Sequence, residues 1–162
     1  MKLYMKQKVF SLKDKFTIKD EDGNDKYFVE GEMWAFGKKL HVYDAKRNEV
    51  AFIREQIWSL LPTFRVFCNG EQVADVKCKF SFLVPKYTIK GLDWEVKGKM
   101  TAHNYKILQG KHTIVTISKK WMTWADTYEL DITKDADEII ALATVLAIDC
   151  EMARTRVALT SD

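Results

Sequence analysis

The sequence predicts one mainly β domain, a largely antiparallel sheet closed off by a single C-terminal apolar helix. Three observations predict it. From Leu3 to about Thr133, apolar and polar residues alternate with period two in short runs rich in Val, Ile, Thr, Phe, Tyr and Trp. Gly, Asn or Asp ends each run at a spacing of roughly 8 to 12 residues, which suits a sandwich or barrel and shows no helical period between strands. After Thr133 the alternation gives way to an apolar run from Ile139 to Ile148, interrupted only by Thr144.

Taken in order, the first clear hairpin joins Phe16-Thr17-Ile18 to Tyr27-Phe28-Val29 through Asp22-Gly23-Asn24, where Gly and Asn tolerate the positive φ of such turns. A second joins Phe64-Arg65-Val66-Phe67 to Val73-Ala74-Asp75-Val76 through Asn69-Gly70, the most informative two-residue turn signal in the chain. Further strands are predicted from Lys39 to Tyr43, Val50 to Gln56, Tyr87 to Lys90, Trp94 to Lys97, Tyr105 to Leu108, Thr113 to Ser118 and Thr127 to Ile132. That makes about ten to twelve strands.

Asp135 followed by Glu138 resembles a capping box, so a helix is predicted from about Asp135 to Arg154. Between Ile139 and Ile148 there is no charge on any side of it. A helix that is apolar all round belongs inside a core or a membrane. The run is far short of the ~20 residues that span a bilayer, which leaves the core. The sheet is expected to wrap around the helix.

The 162 residues offer no Pro- or Gly-rich stretch where a domain boundary could fall, so residues 1–162 read as one domain. Apolar residues make up 47%, enough for a sizeable core and too many for a disordered chain. The net charge of +3 is far from that of a dedicated nucleic-acid binder. Cys68, Cys78 and Cys150 are odd in number and lack C-x-x-C spacing, so they read as reduced, buried thiols. Residues 1–10 mix lysines with apolar residues and form no export signal, so the expected location is the cytoplasm, with peripheral membrane contact an option.

Three stretches, Phe52 to Glu55 with Ser59 to Phe64, Ser118 to Trp121 with Trp124 to Tyr128, and Ala143 to Asp149, resemble the LURP-one-related family, within the tubby C-terminal-like superfamily. Phe52-Ile53-Arg54-Glu55 leading to Ser59-Leu60-Leu61-Pro62-Thr63-Phe64 looks like the family's strand, Leu-Pro turn and returning strand. Ser118-Lys119-Lys120-Trp121 with Trp124-Ala125-Asp126-Thr127-Tyr128 looks like its basic and aromatic turn and last strand, and Ala143 to Asp149 like its terminal helix. The resemblance implies a closed antiparallel barrel of about twelve strands around a central helix, with no known catalytic site. Tubby proteins tether to phosphoinositide membranes, but the likeness to them is structural and transfers no binding residue. Fold transfers better than function.

Catalytic and cofactor constellations are scarce. His41, His103 and His112 lack the spacing or Cys partners of a metal site, and there is no nucleophile elbow, phosphate loop or dinucleotide fingerprint, so no catalytic, metal or cofactor residue is assigned. Asp20 with Asp22, and Asp135 with Asp137, sit where turns and a helix N-terminus want carboxylates. Lysines alternate at Lys6-x-Lys8, Lys13-x-Lys15, Lys77-x-Lys79 and Lys97-x-Lys99, each pair on one face of a strand. Such lysines attract anionic lipid if several come together, but the reading favoured by spacing alone is a solvated face that discourages edge pairing. Lys119-Lys120-Trp121-Met122-Thr123-Trp124 reads as a turn combining cations with two indoles, which suit a membrane interface as well as a barrel cap.

The expected function is therefore a non-enzymatic cytoplasmic module contacting anionic membrane lipid or a protein partner. Lys77, Lys79, Lys119, Lys120, Trp121 and Trp124 are the candidate lipid contacts. The alternatives are a barrel holding a small apolar ligand beside the helix, or an enzyme of unrecognised type. The charge disfavours nucleic acid, no segment is long enough for a transmembrane helix, and the oligomeric state is open.

Overall fold

The computed structural model describes residues 1–6, 15–34, 37–81, 84–122 and 125–160. The strands are β1 (Lys2–Lys6), β2 (Lys15–Lys19), β3 (Asp25–Trp34), β4 (Gly37–Tyr43), β5 (Glu49–Glu55), β6 (Thr63–Cys68), β7 (Glu71–Ser81), β8 (Val84–Lys90), β9 (Trp94–Lys99), β10 (Asn104–Gln109), β11 (His112–Met122) and β12 (Ala125–Ile132). Each pairs antiparallel with the next, and β1 pairs with β12, Leu3 opposite Leu130, so the sheet closes on itself. Among the described residues the ladder is thin at two junctions, Tyr4 opposite Lys19 between β1 and β2, and Thr88 opposite Glu95 with Ile89 opposite Trp94 between β8 and β9. Alternation then places Val42, Ile53, Val66, Val76, Ile107 and Leu130 inside, all fully buried.

The helix α1 (Glu138–Thr160) runs down the interior, closest to β5, β6 and β7. Ala141, Leu142, Val145, Leu146 and Ile148 are each at most 1% exposed, so from Ala141 onward no side of the run meets water, while Ile139 and Ile140 at its start are half-buried. Burying a side chain such as Leu or Val contributes about 1.5–3 kcal/mol, which makes this segment the centre of the core. The helix begins later than its sequence suggests. Ala136 N–H donates to Thr133 O (3.1 Å), taking Asp135 into a turn, and the cap is Asp137, whose Oδ1 accepts from Ile140 N–H at 3.0 Å. Glu138 is not the far half of a capping box; it accepts from Tyr27 Oη at 2.6 Å and pairs with Lys26 Nζ at 2.7 Å.

Because successive strands are antiparallel, their connections alternate between two ends. At one end, the base, lie the turns at 20–24, 44–48 and 69–70 and the start of the helix. Asn69 (φ 50°) and Gly70 (φ 83°) make the left-handed pair of a two-residue hairpin, as the sequence predicts. Asp20 accepts from Asp22 and Asn24 N–H (3.0 and 2.9 Å), and Asp44 from Lys46 and Asn48 N–H (2.8 and 2.9 Å), so one side-chain device closes two hairpins. The Asn24 N–H on Asp20, and on Asp44 the Asn48 side-chain amide (3.0 Å) followed by its N–H, hold both carboxyls below their ordinary pKa.

At the other end, the rim, lie the β5–β6 loop, a short 3-10 turn at Met100–Ala102, and the C-terminal half of α1. Arg154 of the helix pairs there with Glu55, which also accepts the Lys38 N–H at 3.1 Å. Gly37 permits this junction: a Cβ at that position would lie 3.2 Å from both Glu55 Cβ and Ile57 Cγ1, and φ is +99°.

Candidate functional site

Cations collect on the outer face from β7 to β10. Period two puts Ala74, Val76 and Cys78 inside, and Lys77 and Lys79 outside. The register then sets Lys79 directly opposite Lys86 on β8, and Lys97 on β9 directly opposite Lys106 on β10. Like charges in facing positions destabilise a sheet. Lys97 has Glu95 Oε2 at 3.1 Å, whereas Lys77, Lys79, Lys86, Lys99 and Lys106 have no ion pair among the described residues. The four facing lysines are exposed, on four successive strands toward the rim.

The other predicted contacts are placed differently. Residues 119 to 122 are not a turn: β11 continues through Met122, and its residues pair with β12 as far as Met122 opposite Ala125. Lys119 and Lys120 therefore point to opposite faces. Lys119 is half-buried opposite the buried Tyr128, while Lys120 is exposed and shares Glu129 with Lys2, both at 3.5 Å. Trp121 lies in β11 opposite Asp126. Trp124 lies outside the described residues, as do Lys8 and Lys13 of the predicted lysine pairs. Four inter-strand steps of about 4.8 Å separate β7 from β11, so the Lys77–Lys79 and Lys119–Lys120 pairs stand about 19 Å apart along the sheet and form no single cluster.

Two features of the same end escape a reading of lysine spacing. Trp58 and Leu60, in the β5–β6 loop, are at 94 and 105% of full exposure, and Ile57 in the same loop and Phe80 near the end of β7 are exposed too. Below the loop, Arg54 and Arg65 face each other across β5 and β6. The Arg54 guanidinium lies 5.5 Å from the Phe67 ring, and Arg65 Nε is 3.6 Å from Asp75 Oδ1. A cleft of about 310 Å³ on the outer surface joins Arg54, Arg65, Glu55, Ile57 and Trp58.

The interior at the rim is polar in an unexpected way. Asp149 and Glu151 of α1 are both buried, although the helix carries no charge before Asp149 along its apolar run. His103 stacks on Tyr128 (centroids 4.4 Å apart), and its Nδ1 is 3.8 Å from Asp149 Oδ1. Burial raises the Glu151 carboxyl from its ordinary 4.5 to about 7, with Arg154 and Thr155 partly opposing the rise. Burial also pushes the Cys68 and Cys150 thiols up to about 12, and all three cysteines are free and buried, which makes them inert core residues. Among the described residues no three His, Cys, Asp or Glu side chains group as a metal site, and no helix is long and apolar enough to cross a membrane.

Comparison with known proteins gives these features a family. The family model described as LURP-one-related matches residues 1–149. The uncharacterised protein YxjI of Bacillus subtilis (strain 168) is 34% identical over 149 residues, covering 92% of each chain. An X-ray structure of a protein from Arabidopsis thaliana superposes with a TM-score of 0.62 at 16% identity, over 94% of this chain and 91% of that one, and so shares the fold. Matched in sequence along nearly its whole length, the chain belongs to the LURP-one-related family.

Proposed function

We propose that this protein is a non-enzymatic module that docks on an anionic membrane surface, acting from the cytoplasm as a peripheral protein. The observation that carries this reading is the pair of in-register lysine contacts, Lys79 with Lys86 and Lys97 with Lys106. Protection against edge pairing calls for cations where β8 and β9 part beyond the Thr88–Glu95 pair, beside Lys86 and Lys97, but it does not call for Lys79 to face Lys86 within the β7–β8 ladder. Repulsion that costs the isolated fold stability is relieved when phosphates approach, and each cation near a charged bilayer contributes on the order of 1 kcal/mol. The resemblance to tubby C-terminal-like proteins supports the same reading. A small apolar ligand inside the barrel is less well supported, since Leu142, Val145 and Leu146 occupy the space beside the strands.

Sedimentation with vesicles tests it. Vesicles containing phosphatidylserine should pull the protein down at low salt and release it as the Debye length shrinks from about 10 Å at 0.1 M to about 3 Å at 1 M. Equal and negligible binding to phosphatidylserine and pure phosphatidylcholine vesicles would remove the membrane reading.

A further inference from the structure

We propose that the β5–β6 loop is a membrane wedge: Trp58 and Leu60 enter the interface of an anionic bilayer while Arg54 and Arg65 hold lipid phosphates at its neck. The proposal rests on the membrane reading above and fixes which part of the barrel meets the bilayer. Two large apolar side chains in one short loop stand at essentially full exposure, although such residues gain by burial. They are not there through looseness of the loop. Gln56 N–H donates to Thr63 O (2.8 Å), Thr63 Oγ1 donates to Leu61 O (2.9 Å), and Ser59 Oγ lies 3.2 Å from Thr63 Oγ1, so the neck is braced and the apolar tips are presented outward. The adjacent strand adds to the surface, since Cys78 N–H donates to Pro62 O (3.4 Å) and Phe80, two residues on, is also exposed.

Charge complementarity selects the occupant. Arg54 and Arg65 are directly opposed across β5 and β6, a third like-charge pair on this outer surface, and both line the cleft that holds Trp58. Lys39 stands opposite Arg54 on the other side. Asp75 offsets part of the Arg65 charge and Arg154 offsets Glu55, so the cleft keeps a net cationic character. Guanidinium forks suit phosphate oxygens, and indole favours the headgroup layer. A protruding tip of two side chains is also too small for a stable protein interface of about 800 Å² a side, whereas a bilayer accepts a wedge without a complementary surface.

The test uses the full chain with phosphatidylcholine vesicles with and without phosphatidylserine, some carrying brominated acyl chains that quench tryptophan on contact. The wild-type protein should bind the anionic vesicles and show quenching. Trp58→Phe should still bind and lose most of that quenching, while Trp58→Ser/Leu60→Ser and Arg54→Ala/Arg65→Ala should each bind about ten-fold or more weaker, with unchanged far-ultraviolet circular dichroism. If the wild type binds and both double variants bind equally well, the wedge is overturned while the membrane reading stands. If the wild type binds and Trp58→Phe is quenched as strongly as wild type, Trp58 does not insert and the proposal fails. If the wild type binds neither vesicle, the membrane reading falls and takes the wedge with it. Light scattering that shows a wild-type dimer lost in Trp58→Ser/Leu60→Ser would assign the loop to a second copy of the chain instead.

Discussion

The base and the rim of this barrel are built from the same strands and obey different rules. At the base four carboxylates serve the fold: Asp20 and Asp44 close hairpins, Asp137 caps the helix, and Glu138 ties the helix to Tyr27 and Lys26. At the rim the chain keeps features that weaken a fold, namely facing cations, two bare apolar side chains and buried carboxyls. Local conflict of this kind marks places where something besides stability has been selected. The difference teaches where to look: the base explains why the protein folds, and the rim and the strands beside it carry the proposed membrane contact.

That contrast can be broken or sharpened by substitution. The largest effect is expected at the level where the two ends share one core. Leu146→Ala removes a side chain enclosed on all sides by a sheet that cannot easily collapse, and should cost ~2 to 5 kcal/mol in urea denaturation, provided unfolding stays a single transition. A loss below about 1 kcal/mol would mean that the helix is not the keystone of both ends.

Next in size is the rim carboxyl Glu151. Its pKa when folded, about 7, lies above its ordinary 4.5, so the folded state binds the extra proton. The associated stability is complete below pH 4.5 and is lost as pH rises through 7. The wild-type protein should thus be less stable at pH 8 than at pH 5 by on the order of 2 kcal/mol from this group, and Glu151→Gln should flatten that slope. A slope that survives the substitution assigns the titration to another group.

At the base, Asp137→Ala should cost ~1 kcal/mol by removing the cap to Ile140 N–H, and Asp135→Ala should cost much less. Comparable losses from both would restore the capping box that the sequence suggests. The smallest effect has the opposite sign. Lys79→Glu, facing Lys86, should raise stability by about 0.5 kcal/mol while weakening sedimentation with phosphatidylserine vesicles. A variant that gains stability and keeps its membrane affinity would separate the lysine pairs from function.

The barrel wall is legible in the sequence because side-chain period and turn chemistry are local. Asn69-Gly70 and the alternation of Phe64 to Val76 fix one hairpin without reference to the rest of the chain. The central helix is legible because no charge interrupts Ile139 to Ile148. Strand ends are less so: the cations and indoles from Lys119 to Trp124 read as a turn, yet hairpin pairing with β12 carries β11 on through Met122. The candidate site is legible only in part. Spacing shows that Lys77 and Lys79 share a face, but that Lys79 meets Lys86, or Arg54 meets Arg65, follows from register between strands, which spacing along one strand does not contain. Ser59-Leu60-Leu61-Pro62 reads correctly as a turn, and nothing in its composition says that Leu60 leaves the core while Thr63 enters it.

The order of parts along the chain gives the enclosed helix a kinetic meaning. The wall is translated first and its filling last, and the seam that closes it joins residues as distant as Lys2 and Asp131. Until α1 has left the ribosome, the nascent strands have an apolar lining with nothing to bury it, and a sheet sealed early would shut its own core out. The β1–β12 seam must therefore stay open, or reopen, until the last segment arrives. Contacts of such long range make for slow folding and a sticky intermediate. A chain interrupted before Glu138 would remain in that state, so chaperones and proteases should distinguish a chain that carries α1 from one that lacks it by whether the seam has closed.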